Sequence, residues 1–556
     1  MKNTVYSLFF AITLPMQAWA TPASDLEFIY QKNPALLVQF NPTLLQGEAS
    51  RILGDKEKAQ KIFEFITNDF ENFLKTREKM VKEFQKNPPK NLARIVVSGQ
   101  SVTGMITAAL AAQAGHKVDV YGLRLGGFTR DIQWSVRQAA PDILASIDAG
   151  LAQRFVSEVA TDMARGYTTM KGTDKEVTEP RSMSIPDPRR VPQDSNELLS
   201  SKGVATVQVK KFEKVLFEFL KSHPNVTQRK GKIEIGKLDP TTRRHIITEF
   251  EDVTPKGQKE KVFREVRKGT PITIIAEGGG SASRASLNIE SAAISPERFQ
   301  IAGVAHIENG GEIVTHYRYE DTSRYLTTSM GTTGSAMRWV VADLDENKIT
   351  PDPKKFGSDI KDTAYIQEKA RLLELEFKRV AALNMRIPLT DLDNIAVSGA
   401  IEKMPLQPFK LQQHISAKAA SGTNVLLLAD AAGNGHWNVG GGMHVGAITH
   451  NERVKSFLAT VDSGGSEIIA AKKYSDAVIA DSRVWGERGL RYFYDKLPDP
   501  DAKKAYNIAA DLYFENKVKS PVRALDLMLP EGRQSTVLKS IHLKCDDIAR
   551  RILGEI

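Results

Sequence analysis

The chain has 556 residues, of which 41% are hydrophobic and 26% charged, and its formal net charge is +9. Its length exceeds one ordinary domain, so we expect two or three. Lys and Arg are interspersed with Asp and Glu rather than massed in blocks, which argues against a nucleic-acid-binding protein. The single cysteine, Cys545, excludes an intrachain disulfide and a thiolate metal cluster, and we expect no metal site.

The first twenty residues have the pattern of a secretory signal peptide. Lys2 precedes an apolar run at 8–16, and Ala18-Trp19-Ala20 provides a small-x-small cleavage site. We therefore expect an exported protein, periplasmic or secreted. No twin-arginine pair precedes the apolar run, which favours export as an unfolded chain and cofactor binding afterwards. No later stretch reaches roughly 18 apolar residues, so we expect no transmembrane anchor once the leader is removed.

Residues 21–90 are predicted to form a helical extension. Apolar residues recur at helical spacing over 55–84, and Pro88-Pro89 ends the pattern. A strand–helix–strand unit follows. Its first strand covers 93–98, its alanine-rich helix closes at Gly115, and its second strand covers 117–121. This order is typical of an α/β fold.

The turn between the first strand and the helix resembles a dinucleotide-binding fingerprint. Gly99 would make the tight turn, and Gly104 would let the helix pack closely on the strand. The free N–H groups at the helix start would face a pyrophosphate. Ser101 replaces the second glycine, so a side chain crowds the phosphate approach, although its hydroxyl could donate to the phosphate.

The second strand ends in Gly122, where an acidic ribose ligand is expected. Asp119 lies three residues too early for that role. Arg124 could face a phosphate or adenosine, or be a solvated arginine. If Gly122 lies beside the ribose, we expect Gly122→Glu to tighten cofactor binding.

Further along the chain, four prolines among polar residues predict a long loop or lid at 171–202. A helix at 212–220 follows, preceded by Gln208. Alternating segments over 299–344 predict an antiparallel sheet. We assign 91–299 and 396–464 to a dinucleotide-binding domain and 300–395 to an inserted substrate-binding sheet domain. Residues 465–556 are predicted to be helical and could bind a protein partner.

Two glycine-rich segments carry the remaining motifs. In the first, an apolar strand runs into Glu277-Gly278-Gly279-Gly280-Ser281 and then Arg284. In the second, the buried run at 424–428 leads to Ala429-Asp430-Ala431, and the glycines Gly440, Gly441 and Gly442 follow. A carboxylate at the end of a buried strand needs a partner to offset its desolvation, and a sugar hydroxyl would serve.

In order and rough spacing, these segments resemble the FAD-dependent aromatic-hydroxylase-type (class A) flavoprotein monooxygenases over residues 93–460. The first segment is similar to that family's Asp-Gly-x-x-Ser-x-x-Arg segment, with Glu277 in place of Asp. The second is similar to its Gly-Asp-Ala segment, with Ala429 in place of Gly. Phe128-Thr129-Arg130 and Trp437 show short local similarity to MICAL-type hydroxylase domains, from which we do not infer an actin substrate.

The resemblance implies a Rossmann-type FAD-binding domain with an inserted antiparallel sheet domain and non-covalently bound FAD. Asp430 would bond the ribityl chain, and the segment from Gly440 through Met443 would approach the flavin with backbone N–H groups. Glu277, Gly278 and Arg284 would lie near the flavin and the pyridine nucleotide. Arg137 and, more weakly, Gln208 are further FAD-side candidates. Structural packing or a direct role at the flavin remains open for three residues of the same loop: His436, Trp437 and His444.

By the same resemblance, the activity would be NAD(P)H-dependent hydroxylation of an organic substrate through a flavin hydroperoxide. The leader conflicts with this, because NADPH is scarce outside the cytoplasm. An exported FAD-dependent oxidase or dehydrogenase is therefore an alternative. A second alternative, from another class, is a non-catalytic flavin-fold binding or toxin component.

Overall fold

The computed structural model describes residues 22–32, 37, 42–86, 92–137, 139–162, 169–172, 204–295, 297–307, 316–319, 325–330, 337–385, 387–401, 404–435 and 442–489. The expected leader, most of the predicted lid (173–202) and residues 490–556 lie outside these ranges. The chain divides into two compact units, Met1–Asn87 and Pro88–Ile556.

The first unit contains four described helices. They are α1 (Pro22–Lys32), α2 (Pro42–Leu53), α3 (Lys56–Asn68) and α4 (Phe70–Lys86). The stretch 55–84, where apolar residues recur at helical spacing, forms two helices, because the backbone leaves helical geometry at Asp69. Asp55 caps α3 by accepting hydrogen bonds from the N–H groups of Glu57 and Lys58. The apolar faces share a core that includes Leu26, Ile62 and Phe73.

The second unit is built on an eight-stranded sheet with the order β19-β20-β10-β1-β2-β7-β8-β9. Neighbouring strands from β20 to β7 are parallel, whereas β8, β9 and β19 pair antiparallel. The central strands are buried on both faces, which explains their continuous apolar sequences. The strands are β1 (Ile95–Ser98), β2 (Val118–Gly122), β7 (Val226–Leu238), β8 (His245–Asp252), β9 (Phe263–Gly269), β10 (Ile272–Ile275), β19 (Ala420–Ser421) and β20 (Val425–Leu427).

Helices and two small sheets surround this sheet. The helices are α5 (Val102–Gln113), α6 (Ala139–Ile147), α7 (Ala149–Arg154), α8 (Val209–Ser222), α9 (Ala282–Ser286), α12 (His450–Asp462) and α13 (Glu467–Gly489). One small sheet joins β3 (Gln133–Arg137), β6 (Val204–Gln208) and β4 (Ala160–Asp162). The other joins β11 (Ser291–Ala293), β18 (His414–Ser416) and β21 (Gly433–Asn434).

A second large sheet has the order β16-β12-β15-β14-β13-β5, and β17 also pairs with β12. It extends beyond the predicted limit at residue 395, because β16 and β17 pair with β12, and β5 joins it from earlier in the chain. Its strands are β5 (Thr169–Gly172), β12 (Arg298–His306), β13 (His316–Tyr319), β14 (Tyr325–Met330), β15 (Met337–Asp343), β16 (Ala396–Gly399) and β17 (Gln407–Leu411).

The two faces of β12 and β15 have different neighbours. Ile301 and Val340 pack with Phe377 of the long helix α11 (Thr363–Met385), which follows the short α10 (Pro353–Phe356). The opposite face carries Val304 and Trp339. No described helix is long and apolar enough to cross a membrane.

Candidate functional site

The turn after β1 requires glycine at two positions. Gly99 has φ +121°, a conformation that side chains rarely adopt, and a Cβ there would overlap the carbonyl oxygen of Ala276. Gly104, in the first turn of α5, leaves no room for a Cβ beside the carbonyl oxygen of Gly99. Both obstacles are backbone atoms, so the close approach of β1, β10 and α5 depends on these glycines.

Ser101 is the N-cap of α5. Its Oγ accepts a hydrogen bond from the N–H of Gly104 at 3.4 Å. The hydroxyl therefore satisfies one of the free N–H groups at the helix start, and the remaining ones are left for a ligand.

Asp119, on β2, belongs to an ion network. Its carboxylate lies 2.7 Å from Arg94 Nη1, 3.2 Å from Arg229 Nε and 3.3 Å from Arg267 Nη1. Arg94 also pairs with the buried Glu249 of β8. This network links β1 and β2 to the antiparallel strands. Asp119 is the only acidic residue within β2, and its carboxylate is already paired with arginines.

The end of β2 is covered by Gln100. Ser98 lies opposite Tyr121 in the parallel pair of β1 and β2, and the side chain of Gln100, two residues after Ser98, lies over Gly122. A Cβ at position 122 would lie 2.7 Å from both Cγ and Oε1 of Gln100. We therefore expect the single substitution Gly122→Glu not to tighten cofactor binding, since the new side chain would have to displace Gln100.

Glu277 organises the loop after β10. Its carboxylate accepts hydrogen bonds from Ser98 Oγ at 2.6 Å, Ser281 Oγ at 2.8 Å, Ser283 Oγ at 2.6 Å and Ser283 N at 3.1 Å. With these four donors the side chain holds β1, β10 and α9 together. Within the described part of the chain, Glu277 therefore has a structural role. Gly278, at φ +86°, faces open space.

Arg284 connects this loop to the Asp430 segment. Its Nη2 donates to the carbonyl oxygen of Gly279 at 2.9 Å, and its Nη1 lies 3.4 Å from that of Ala431. The two motifs that sequence placed about 150 residues apart thus meet at the carboxyl ends of β10 and β20.

Asp430 lies in a short 3-10 turn directly after β20. The turn starts at Ala429, whose φ of +52° is unusual for a residue with a side chain. The N–H of Ala429 donates to Nδ1 of the buried His450 at 3.0 Å, and burial lowers the pKa of His450 to about 4. This neutral imidazole accepts the hydrogen bond and holds the turn that presents Asp430.

The carboxylate of Asp430 has a perturbed pKa. Burial raises its pKa to about 6, and only Arg130 opposes the shift. Among the residues that the structure describes, no group donates a hydrogen bond to it. A partly buried carboxylate in this state is stabilised by any ligand that brings hydroxyl or N–H donors.

Arg130 and Glu213 complete a charged cluster that the sequence did not single out. Glu213, on α8, is fully buried, and neither of its oxygens has a hydrogen-bond partner in the described ranges. Burial raises the pKa of Glu213, although Arg130 and Arg124 oppose the rise. Burial also lowers the pKa of Arg130, and Arg124 adds to this, whereas Glu213 and Asp430 oppose it. One signal was present: Glu213 falls on the apolar stripe of α8 between Phe212 and Leu216.

The segment that carries Arg130 also joins the two large sheets. Arg130 forms a β-bridge with Ile401, and the N–H of Asp131 donates to the carbonyl oxygen of Ala400 at 3.2 Å. Gln208 donates from Nε2 to Asp131 Oδ1 at 3.2 Å, so its amide positions this segment. Ile132 packs with the face of the second sheet that carries Val304, Trp339 and Val341, and Phe409 packs there too. His306 Nε2 and Ser398 Oγ lie 3.5 Å apart beside this face.

The glycine-rich loop is described only in part. Gly442 starts a π-helix, Gly442–Thr449, that continues into α12, and Met443 in its first turn is buried. Asn451 accepts from Thr107 Oγ1 at 2.6 Å and so joins α12 to α5. The backbone of His444 lies in the π-helix and that of Arg137 ends β3. The candidates His436, Trp437, Gly440 and Gly441, and the side chains of Arg137 and His444, lie outside what the structure describes.

Comparison with known proteins identifies the fold. No protein-family model matches the chain, and no curated protein matches its sequence. The p-nitrophenol 4-monooxygenase PnpA from Pseudomonas putida aligns with a TM-score of 0.51 at 16% identity, over 82% of this chain and 98% of its own. Aklavinone-11 hydroxylase, solved with FAD and aklavinone, aligns with a TM-score of 0.51 at 15% identity, over 73% of this chain and 70% of its own.

The flavin-dependent monooxygenase PieE, solved with FAD and substrate, has a TM-score of 0.52 at 14% identity, over 84% of this chain and 73% of its own. The chain therefore has the mixed α/β fold of the FAD-dependent flavoprotein monooxygenases. This is the class that its sequence motifs resemble, so the predicted fold class is confirmed.

Proposed function

We propose that this protein is an FAD-dependent oxidoreductase of the monooxygenase type. The observation that carries the proposal is Asp430: a carboxylate at the end of the buried strand β20, with a pKa raised to about 6 and no donor among the described residues. A ribityl hydroxyl would supply the missing donor and return the pKa toward its ordinary value. Asp430 would then fix the flavin end of the cofactor.

The residues present fit FAD along its length. Gly99 and Gly104 allow β1, β10 and α5 to pack closely, and the start of α5 would then face the diphosphate with its N–H groups. Arg124 and Arg130 provide positive charge for the same diphosphate. The first N–H groups of the helix that starts at Gly442 lack partners within that helix and would be available to the flavin. When bound, FAD supplies electron transfer and reaction with O2, which no side chain provides.

We propose that the organic substrate lies against the face of the second sheet that carries Val304, Trp339 and Val341. This face is apolar, and Ile132 joins it to the segment of Arg130. Such a surface favours an aromatic or otherwise planar apolar substrate, which it would position by packing while excluding water. His306 and Ser398 would add polar contacts at its margin.

NAD(P)H as electron donor and export by the N-terminal leader are part of the proposal. These two parts of the proposal conflict, because reduced nicotinamide is scarce outside the cytoplasm. The leader pattern therefore favours, as a second candidate, an exported oxidase or dehydrogenase in which the substrate itself reduces the flavin. Both candidates use the same FAD site.

The test is the absorption spectrum of the natively purified protein, followed by titration with NADH and NADPH under air. We expect a flavin band near 450 nm that bleaches with one of these donors and returns on exposure to oxygen. Bleaching by an organic substrate alone would favour the second candidate. Failure to bind FAD, in the purified protein and after addition of FAD to the stripped protein, would refute the proposal.

A further inference from the structure

Gln100 has a buried side-chain amide that lacks a hydrogen-bond partner among the described residues. Its side chain is 8% exposed, and neither Oε1 nor Nε2 has a hydrogen-bond partner among the described residues. Buried side-chain amides in native proteins are nearly always paired, so an unpaired one calls for an explanation. It lies in the turn between β1 and α5, next to Gly99, which places it at the cofactor side of the sheet.

The absence of a side chain at Gly122 leaves the space that this amide occupies. Gly122 does not adopt a positive φ, so its backbone conformation does not require glycine. Its Cβ position is instead filled by Gln100, with Cγ, Oε1 and Cβ of the glutamine all within 2.8 Å. Any side chain at position 122 would push the amide out of place.

The described carboxylates of β2 and of the loop after β10 are both engaged within the protein. The end of β2 is where dinucleotide-binding folds carry an acid that binds the ribose hydroxyls. Here Asp119 is held by three arginines, and Glu277 accepts four hydrogen bonds from the protein. The side chain of Gln100, in the turn after β1, reaches this position.

We propose that Gln100 replaces the acidic ribose ligand, reaching across from β1 to the end of β2 to bind the adenosine ribose of FAD through its amide. Oε1 accepts a hydrogen bond from one ribose hydroxyl, and Nε2 donates to an acceptor on the same sugar. An amide brings no charge, so this contact neither titrates near neutral pH nor repels the diphosphate. The inference rests on the proposed function, because it assigns one contact of that cofactor.

The test measures the affinity of the stripped protein for FAD by flavin fluorescence quenching. We expect Gln100→Leu, which keeps the volume and loses the amide, to weaken FAD binding about tenfold. FAD analogues lacking the 2′- or 3′-hydroxyl of the adenosine ribose supply the second arm. The wild type should bind at least one of these analogues about tenfold more weakly than it binds FAD. The Gln100→Leu variant should bind that analogue and FAD with equal affinity, because the contact is already lost. Gln113→Leu, at the far end of α5, is the matched control and should bind like the wild type.

A double variant at positions 100 and 122 tests the proposal even if one of the single variants misfolds. Gly122→Glu alone should weaken FAD binding, whereas Gln100→Gly combined with Gly122→Glu should recover it, because glycine at position 100 removes the Cβ as well as the amide that a side chain at position 122 would meet. Wild-type affinity in Gln100→Leu, or equal loss for FAD and both analogues in that variant, would overturn the inference alone. No FAD binding by the wild type would overturn the proposed function and this inference with it.

Discussion

Asp430 shows how one side chain couples folding to ligand binding. The end of β20 places it where water has little access, and the turn at Ala429 and the hydrogen bond to His450 hold it there. The free protein bears the desolvation of this carboxylate, and among the described residues the charge of Arg130 offsets it. A ligand with donors would remove that cost.

This arrangement predicts a pH-dependent stability. Burial raises the pKa of Asp430 to about 6, against about 4 in an unfolded chain. Between these values the folded protein keeps a proton that the unfolded chain has lost, so stability falls as the pH rises from about 4 to 6 and then levels off. We expect FAD-free Asp430→Asn to be more stable than the wild type above pH 6, by up to about 3 kcal/mol. The gain should vanish near pH 4.

Urea unfolding of the stripped proteins at several pH values measures this effect, and the exposed Asp393→Asn serves as control. Asp430→Asn should also purify with less flavin, since in the proposed site the carboxylate accepts a hydrogen bond from the cofactor. A stability difference that stays constant across the pH range would contradict the assignment.

Ala429 and Gly446 pack closely against each other. A Cβ on Gly446 would lie 2.7 Å from the Cβ of Ala429, and the next nearest atom is the Cα of Ala429 at 3.4 Å. Gly446→Ala should therefore cost about 1–3 kcal/mol by overpacking. Ala429→Gly should be neutral or slightly stabilising, because it removes a side chain from a φ of +52°.

The double variant should recover most of the loss seen in Gly446→Ala. A double-mutant cycle of urea midpoints measures the coupling between the two positions. Additive effects would show that the two side chains do not compete for the same space.

At the scale of elements, the site depends on how closely α5 approaches the sheet. Gly104 faces the carbonyl oxygen of Gly99, a backbone atom that cannot move aside without shifting the helix or the strand. We expect Gly104→Ala to lower the free energy of unfolding by about 3 kcal/mol or more, and bulkier residues to prevent soluble folding. Thermal unfolding and soluble yield measure the effect.

Gly280→Ala is the matched control, because a Cβ there meets nothing within 4 Å and its φ is not positive. It should behave as the wild type. Equal behaviour of the two alanine variants would mean that the contact between α5 and β1 is looser than the structure indicates.

At the scale of the whole molecule, the order of the strands assembles the site. The turns after β1, β10 and β20 carry Gln100, Glu277 and Asp430, and the sheet order places these three strands side by side. Ligands of such sheets bind beyond the carboxyl ends of the parallel strands. The second sheet reaches this edge through the bridge between Arg130 and Ile401.

The proposed export route predicts how the molecule acquires its cofactor. A chain exported unfolded cannot carry a non-covalent ligand across the membrane. We expect exported protein to start after Ala20 and to contain less flavin than the same chain, made without residues 1–20, purified from the cytoplasm. Added FAD should restore the spectrum of the exported form and raise its melting temperature. Intact mass and the ratio of flavin to protein absorbance measure both points, and fully loaded exported protein would contradict the route.

Local patterns were enough for the elements near the motifs. The strand–helix–strand unit, the glycines at 99 and 104 and the position of Asp430 after a buried strand follow from periodicity and from backbone sterics, which act over a few residues. The apolar spacing over 55–84 continues through Asp69, so the spacing alone does not show where one helix ends and the next begins. Local patterns also ended the second sheet too early, because the pairing of β16 and β17 with β12 joins distant residues.

The sequence alone determined the α/β class, the fingerprint turn and the acid at the end of β20, since each depends on neighbouring residues. Only the tertiary structure decided which polar groups are unpaired: Gln100 over Gly122, Glu213 beside Arg130, and Asp430 without a donor. The physical reason is that the cost of burying a polar group depends on every element packed around it. Those elements come together only when the sheet orders strands from opposite ends of the chain.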